Sequence, residues 1–524
     1  MSIQKGVARA AGVLMVAMLL SRVLGFVREQ AMTSRFGKSF ATDAYFAAFT
    51  IPDLLYNLLV GGALSAAFIP VFSGYLAKEQ EEEGWIVAST VINFTIIVMT
   101  VGIVLGMVFT PYLIPLVAYK FSGPTLDLTI TLTRIMFPAV LFTGLNGLMM
   151  GILNSYKHFT APAVGAVIYN VAIIALGLAL SHRYGIAGFS IGVVAGVLGN
   201  FFVQLPVLKR VGLRYRPVLD LKHPGVRRMG LLMIPALIGL SANQVNLVIN
   251  QNLASGLSEG SITALRLANR LMLLPLGIFA FSIGAAVFPT LTSLAATNKM
   301  VEFRETFSRG VRSVIFITLP AAVGLMTLGV PIVRLLFQQG RFSHEATQVT
   351  AEALFFYCIG LFAQAAVLVI VRAFYALQDT TTPVLVSVST IVLNYLLNIT
   401  FIGYLGASGL ALAYSLTGIF NMLALLFLLR KKIGLIDGRR LALSLLQVVG
   451  AASLMGAAAY GTAAGLAQVL DLSSKLNQAL QVGAAVGAGV LVYALVALFL
   501  HMEEAEVVKD MLRRKFGGRV RAEA

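Results

Sequence analysis

The sequence predicts an all-α, polytopic membrane protein of about fourteen transmembrane helices. They would form two six-helix pseudo-symmetric lobes plus two extra C-terminal helices. Three observations carry this expectation. Apolar residues make up 58% and charged residues 12% of the 524 positions, with a mean hydropathy of +0.88. Soluble domains sit near 45–50% and 25%. The apolar residues gather into segments of at least about 20 residues, the length a bilayer crossing needs. Two stretches of sequence also recur at an offset of six segments. An ordinary soluble enzyme, a disordered chain and a disulfide scaffold are thereby excluded.

The segments run over 7–34, 41–76, 85–118, 128–154, 159–181, 184–208, 229–256, 261–296, 310–338, 346–377, 383–404, 407–429, 441–470 and 476–501. Lys5 and Arg9 precede the first apolar run, as in a signal peptide. No small-residue cleavage site follows, and apolar sequence resumes after Ser21-Arg22, so the run reads as span 1. Lys and Arg in the loops set the orientation. With the N-terminus inside, and counting Arg9 and Arg312 at the inner ends of their segments with the loops, 26 of the 39 lie in inside regions and six outside; the other seven fall within spans. Both termini are therefore expected in the cytoplasm. The same asymmetry accounts for the net charge of +17 without invoking nucleic acid. The one cysteine, Cys358, permits no internal disulfide, and the five histidines are scattered at segment ends.

Ser65-Ala66-Ala67-Phe68-Ile69-Pro70 and Gly284-Ala285-Ala286-Val287-Phe288-Pro289 resemble each other, with prolines 219 residues apart. Each span has an upstream proline, Pro52 or Pro275. Thr160-Ala161-Pro162 after span 4 echoes Thr381-Thr382-Pro383 after span 10. An even offset gives both units the same orientation, a transporter plan with a site between the halves.

A charge at mid-bilayer costs about 2.5–3.5 kcal/mol on insertion scales. On helical spacing Ser21, Arg22, Gly25, Arg28 and Glu29 share an arc of about 120°, and Asp43, Thr50, Asp53 and Asn57 one of about 80°. Thr263, Arg266 and Arg270 share about 60°. These faces are expected to line one central polar cavity, with Arg rather than Lys suiting bidentate phosphate recognition. Structural pairing of Arg22 with Glu29, and of Arg28 with Asp43, is the other reading, and Arg266 has the alternative of snorkelling to the outer interface. Arg134, Arg334 and Arg372 lie near span ends and read as snorkelling. Ser241, Asn243, Gln244, Asn246, Asn250, Gln251 and Asn252 form a polar stripe that either lines a cavity or bonds neighbouring helices. Asp379 reads first as a helix cap, and with Asn394 and Asn398 as a possible cation site. Glu352 stands isolated.

Ser21-Arg22-Val23-Leu24-Gly25-Phe26-Val27-Arg28-Glu29 resembles the SRxLGFxR(D/E) signature of the MurJ (MviN) lipid II flippases. Ala41-Thr42-Asp43-Ala44-Tyr45-Phe46, Gly62-Ala63-Leu64-Ser65-Ala66-Ala67-Phe68-Ile69-Pro70, Ala268-Asn269-Arg270-Leu271 and Phe374–Pro383 are similar to further stretches of that family. The chain departs from it at Tyr56-Asn57, where members can carry a basic residue, and at Leu273, where some carry Glu. The resemblance implies the multidrug/oligosaccharidyl-lipid/polysaccharide exporter superfamily. It implies an N-lobe over 1–220, a C-lobe over 221–430, helices 13–14 over 431–502 as a lipid-tail groove, and a basic cytoplasmic tail over 503–524.

The resulting expectation is a non-enzymatic flippase of the bacterial inner membrane, monomeric, moving lipid II outward by alternating access. Lipid II is an undecaprenyl-pyrophosphate-linked disaccharide peptide. Arg22, Arg28, Arg266 and Arg270 would bind substrate, while Glu29, Asp43 and Asp53 would partner these arginines or gate. No P-loop is present, so energy should come from membrane potential or a Na⁺ or H⁺ gradient. Membrane lipids and cell-wall synthesis proteins are the other expected partners. The rivals are an ion-coupled drug exporter of the same superfamily, which would favour an acidic cavity, and a non-transporting scaffold. The scaffold would not need three arginine-bearing spans. Glycines at 450–465 and 483–489 in spans 13 and 14 either pack helices closely or leave a groove.

Overall fold

The computed structural model describes residues 2–58, 65–434 and 438–506, and every regular element among them is helical. The first half runs α1 Ser2–Phe36, α2 Phe40–Leu58, α3 Ser65–Ala77, α4 Glu81–Val117, α5 Gly123–Ser155, α6 Thr160–Tyr184 and α7 Ala187–Arg210. Then come α8 Pro224–Ala254, α9 Ser261–Pro275, a π-helical turn Leu276–Ala280, α10 Phe281–Ala296, α11 Met300–Thr327 and α12 Gly329–Phe337. The rest is α13 His344–Ile359, α14 Leu361–Ala376, α15 Thr381–Ile433, α16 Gly438–Val469 and α17 Lys475–Phe499.

Nine of these stretches are long and apolar enough to cross a membrane alone, and α13 with α14, bent by 41°, makes a tenth. α15 contains two of the expected segments, broken at Gly406, whose φ of +54° suits a residue without a Cβ. α1, the α2–α3 pair and α8 occupy the other three. The fourteen segments read from hydropathy thus fall on helix throughout the described residues, each on one element, part of one, or two or three consecutive ones. Gly62, Ala63 and Leu64 of the Gly62–Pro70 motif and most of the basic tail lie outside the described residues.

The breaks follow from residue chemistry. Pro275 removes a helical donor, and the chain passes into a π-turn directly after it. At the α13–α14 bend, Gly360 lets α15 approach: a Cβ there would meet the Ser415 Cα at 2.6 Å. Ser415 Oγ in turn donates to the carbonyls of Phe356 and Tyr357 at 2.6 and 3.0 Å, which the bend has left short of helical partners.

The chain divides into two compact units, residues 1–263 with 340–342, and 264–339 with 343–524. Within the first, α5 packs on α2, α3, α4 and α7, α1 on α6, and α8 on α2, α3 and α4. α6 and α7 form an intimate pair through glycines spaced four apart. A Cβ on Gly188, Gly192 or Gly196 would meet Leu180, Ile173 or Tyr169 backbone at 3.0, 2.9 and 2.7 Å. In the second unit α11 packs on α10, α13, α14 and α16, around Phe303, Phe307, Val311, Val314, Val369, Ile370 and Phe374. The helices outside the repeat, α16 and α17, are joined to α11 by Tyr493 Oη donating to Phe316 O at 2.7 Å. Buried Arg312 adds pairs to Glu503 at 2.8 Å and Glu504 at 3.4 Å. Their glycines fall into two kinds. Gly456 and Gly489 sit against Val323 and Met455, whereas Gly450, Gly461, Gly465, Gly483 and Gly487 face open space.

Leucine at Gly192 has to displace Ile173 backbone and should cost about 1–3 kcal/mol through overpacking. The thermal midpoint of purified Gly192→Leu should fall, while Gly461→Leu, with nothing within 4 Å, holds its midpoint. Equal midpoints for the two variants would refute the close-packed α6–α7 pair.

Candidate functional site

The first unit gathers several of the expected charges. Arg28 on α1 lies 3.6 Å through Nη2 from Glu29 Oε1, and its guanidinium sits over the Tyr169 ring of α6, 5.9 Å from the centroid. Glu29 is buried at 2% exposure, and Arg28 keeps 16% of its side chain exposed. The charges of Glu29 and Asp53 act on it electrostatically. α1 is tied to α6 two turns earlier, where Ser21 Oγ donates to Ala166 O at 3.5 Å and Asn170 Nδ2 to Ser21 O at 3.4 Å. Arg22 is exposed. Arg266 and Arg270 belong to the second unit, half-buried on one face of α9 whose other positions, Leu265, Leu267, Ala268 and Leu271, are buried.

Asp43 does not pair with Arg28. It is buried in the first turn of α2, and its two oxygens accept from Gly260 N at 2.6 Å, Thr263 N at 2.8 Å and Thr263 Oγ1 at 2.7 Å. A carboxylate so placed caps α9 and complements the partial positive charge at its N-terminus. The same end of these helices is knitted further. Lys38 Nζ donates to Glu259 O at 2.8 Å and Arg341 N to Ser34 O at 2.8 Å. Gly37 and Gly340, both at positive φ, let these turns meet without a Cβ in the way.

Two amides of the α8 stripe bond neighbouring helices. Gln251 Oε1 accepts from Thr50 Oγ1 of α2 at 2.6 Å, and Asn252 Nδ2 donates to the carbonyls of Pro115 and Leu116 on α4 at 3.1 and 3.0 Å. Asn250 bonds back to Asn246. The side chains of Ser241, Asn243 and Tyr56 lie outside the described residues.

Asp379 and Asn394 do not form one site. Asp379 caps α15, accepting from Thr382 N at 3.0 Å and Thr382 Oγ1 at 2.7 Å, and it pairs with Lys432 at 2.7 Å. Burial opposes its ionisation, but the Lys432 and Thr382 hydrogen bonds hold its pKa at about 2. Asn394 lies 15 residues along the same helix, buried, and donates to Thr417 Oγ1 at 3.3 Å while accepting from Asn398 Nδ2 at 2.9 Å. The capping reading of Asp379 therefore stands. Among the described residues no group of three or more His, Cys, Asp or Glu is placed to hold a metal.

Two of the arginines near span ends have local partners. Arg134 Nε donates to Met107 O at 3.0 Å, a carbonyl whose helical donor Pro111 removes. Arg372 lies 5.2 Å from the centroid of Phe288. Sequence reading missed Tyr169 as a partner of Arg28 and Thr263 as a partner of Asp43. The one available signal was their polarity within or beside apolar runs.

Residues 32–480 match the family model described as Lipid II flippase MurJ. A Burkholderia cenocepacia protein named lipid II flippase MurJ is 32% identical over 424 residues, covering 79% of this chain and 82% of its own length. A solved structure of a lipid II flippase MurJ in an inward closed conformation aligns with a TM-score of 0.77 at 28% identity, covering 93% of this chain and 98% of that one. An inward-facing multidrug resistance MATE family transporter of the MOP superfamily aligns with a TM-score of 0.68, covering 81% and 99%. At 12% identity that likeness concerns the fold alone.

Removing the Asp43 carboxylate strands two buried N–H groups and a hydroxyl. Bonds to a charged acceptor are worth about 1.5–3 kcal/mol each at most. Asp43→Ala should lower the thermal midpoint clearly and Asp43→Asn by less, since it keeps one acceptor oxygen. Unchanged melting of the alanine variant in detergent would contradict this cap.

Proposed function

Since the chain belongs to the lipid II flippase MurJ family, we propose that it carries lipid II from the inner to the outer leaflet of the bacterial cytoplasmic membrane by alternating access. The observation that carries this reading is Arg28, a half-buried arginine in an apolar span, held by Glu29 and Tyr169. A fixed guanidinium presents N–H donors in a fork that matches phosphate oxygens. Arg22, Arg266 and Arg270 complete a cationic set for the pyrophosphate, with Glu29 and Asp53 as counter-charges when the site is empty. Asp43 acts as a latch at the outer end rather than as a partner of Arg28.

The two lobes, 1–220 and 221–430, would move about this set. Helices 13–14 over 431–502 would guide the polyprenyl tail, a role that the open glycine side of α16 and α17 supports. The work is binding and reorientation, with no bond made or broken, and it is done by a monomer. Both termini lie in the cytoplasm. The driving force is the membrane potential or a Na⁺ or H⁺ gradient, in keeping with a sequence without a P-loop.

The test is a depletion strain supplied with variants, in which the leaflet holding lipid II is measured. Arg28→Ala and Arg270→Ala should abolish rescue at unchanged protein level, and Arg28→Lys should rescue weakly because an ammonium lacks the bidentate fork. Full rescue by both alanines would overturn the assignment. Resistance to cationic drugs on overexpression, without binding of lipid-linked pyrophosphate, would favour the drug-exporter reading.

Topology is checked separately. In a Cys358→Ser background, an impermeant thiol reagent added to intact cells should modify cysteine at Ser122 or Ser343 and spare cysteine at Asp220. Labelling at 220 would refute cytoplasmic termini.

A further inference from the structure

Arg28 is a long, flexible side chain, and a flexible cation is a poor phosphate receptor until something fixes its plane. Within the first unit the fixing contact comes from α6. Side chains lean toward the N-terminus of their helix, so Arg28 reaches back along α1 to Tyr169. There the guanidinium carbon stands 5.9 Å from the ring centroid. Tyr169 is held by its surroundings. Gly196 of α7 admits its backbone, since a Cβ there would meet Tyr169 O at 2.7 Å and Tyr169 Cδ2 at 3.0 Å. The neighbouring Asn170 is bonded to Ser21 O, which locks α6 to α1. A second tyrosine, Tyr45 of α2, is packed between Phe49 and Phe189, at centroid distances of 6.3 and 6.5 Å.

We propose that Tyr169 is a positioning residue for substrate binding. Its ring face holds the flat side of the Arg28 guanidinium while Glu29 holds Nη2, so the N–H fork is aimed before the pyrophosphate arrives. The inference rests on the reading of Arg28 as a pyrophosphate ligand. It adds that the Gly188–Gly192–Gly196 ladder of α7 serves the site, because it sets how far α6 lies from α7.

The test uses the purified full-length protein and measures affinity for lipid II and for a neutral polyprenol of equal length. Tyr169→Leu should weaken lipid II binding about tenfold, within the roughly two- to thirtyfold span of a cation–π contact. Polyprenol binding should not change. Tyr169→Phe, which keeps the ring face, should stay within about twofold of the parent protein. In an Arg28→Gln background Tyr169→Leu should have no further effect. That double variant decides the matter even if leucine lowers thermal stability, because a loss through misfolding would persist without Arg28. Parent-like lipid II binding by Tyr169→Leu, or the same loss with and without Arg28, would overturn the positioning role and leave the flippase reading intact. A parent protein that binds lipid II no better than polyprenol would defeat both.

Discussion

A backbone N–H or C=O that loses its helical partner inside a bilayer has no water to replace it. Much of this structure is a set of answers to that constraint. Pro111 orphans the Met107 carbonyl, and Arg134 and Thr110 supply donors. The bend at Gly360 exposes two carbonyls, and Ser415 takes both. The last turn of α12 offers the carbonyls of Arg334, Leu335 and Gln338, all bonded by Lys475 Nζ at 2.9–3.1 Å. Asp43 and Asp379 do the converse at the starts of α9 and α15, where N–H groups lack acceptors. Several charges that stand out in an apolar sequence are therefore caps rather than ligands.

Once those charges are assigned, the remainder is informative. Arg28 bonds no orphaned carbonyl in this structure. Its neighbours are a carboxylate and an aromatic face, and part of it stays open. Such surroundings orient a cation without neutralising it fully, which is what an anion receptor needs. Close packing supplies the precision: glycines bring α6 and α7 together, and α6 carries the aromatic face. A substitution far from any charge, on α7, is thereby connected to the chemistry of α1.

Glycine shapes this fold in two opposite ways. On α7 small residues bring backbones together, and so do Gly456 of α16 and Gly489 of α17. On the other sides of α16 and α17, glycines meet nothing and leave a smooth surface. Lipid chains pack against such surfaces as readily as helices do, since both are apolar. Composition is the same in the two cases, so only the neighbours distinguish them.

The sequence by itself determined the all-α class, the fourteen apolar segments, the concentration of Lys and Arg in a few loops and the sharing of one helical face by Arg28 and Glu29. These are properties of hydropathy and of a 3.6-residue period, and both are local. Membership of the family was legible too, in the run from Ser21 to Glu29. Tertiary structure alone decided the partners. Asp43 faces Thr263, 220 residues away, instead of Arg28, and Tyr169 faces Arg28 across two helices. Asp379 meets Lys432, not Asn394, because a helix rises about 1.5 Å per residue and carries Asn394 well beyond reach. Helical spacing specifies which residues share a face. Which neighbour that face meets depends on packing among segments far apart in the chain, and there the close approach of glycines and the demand for backbone partners made the choice.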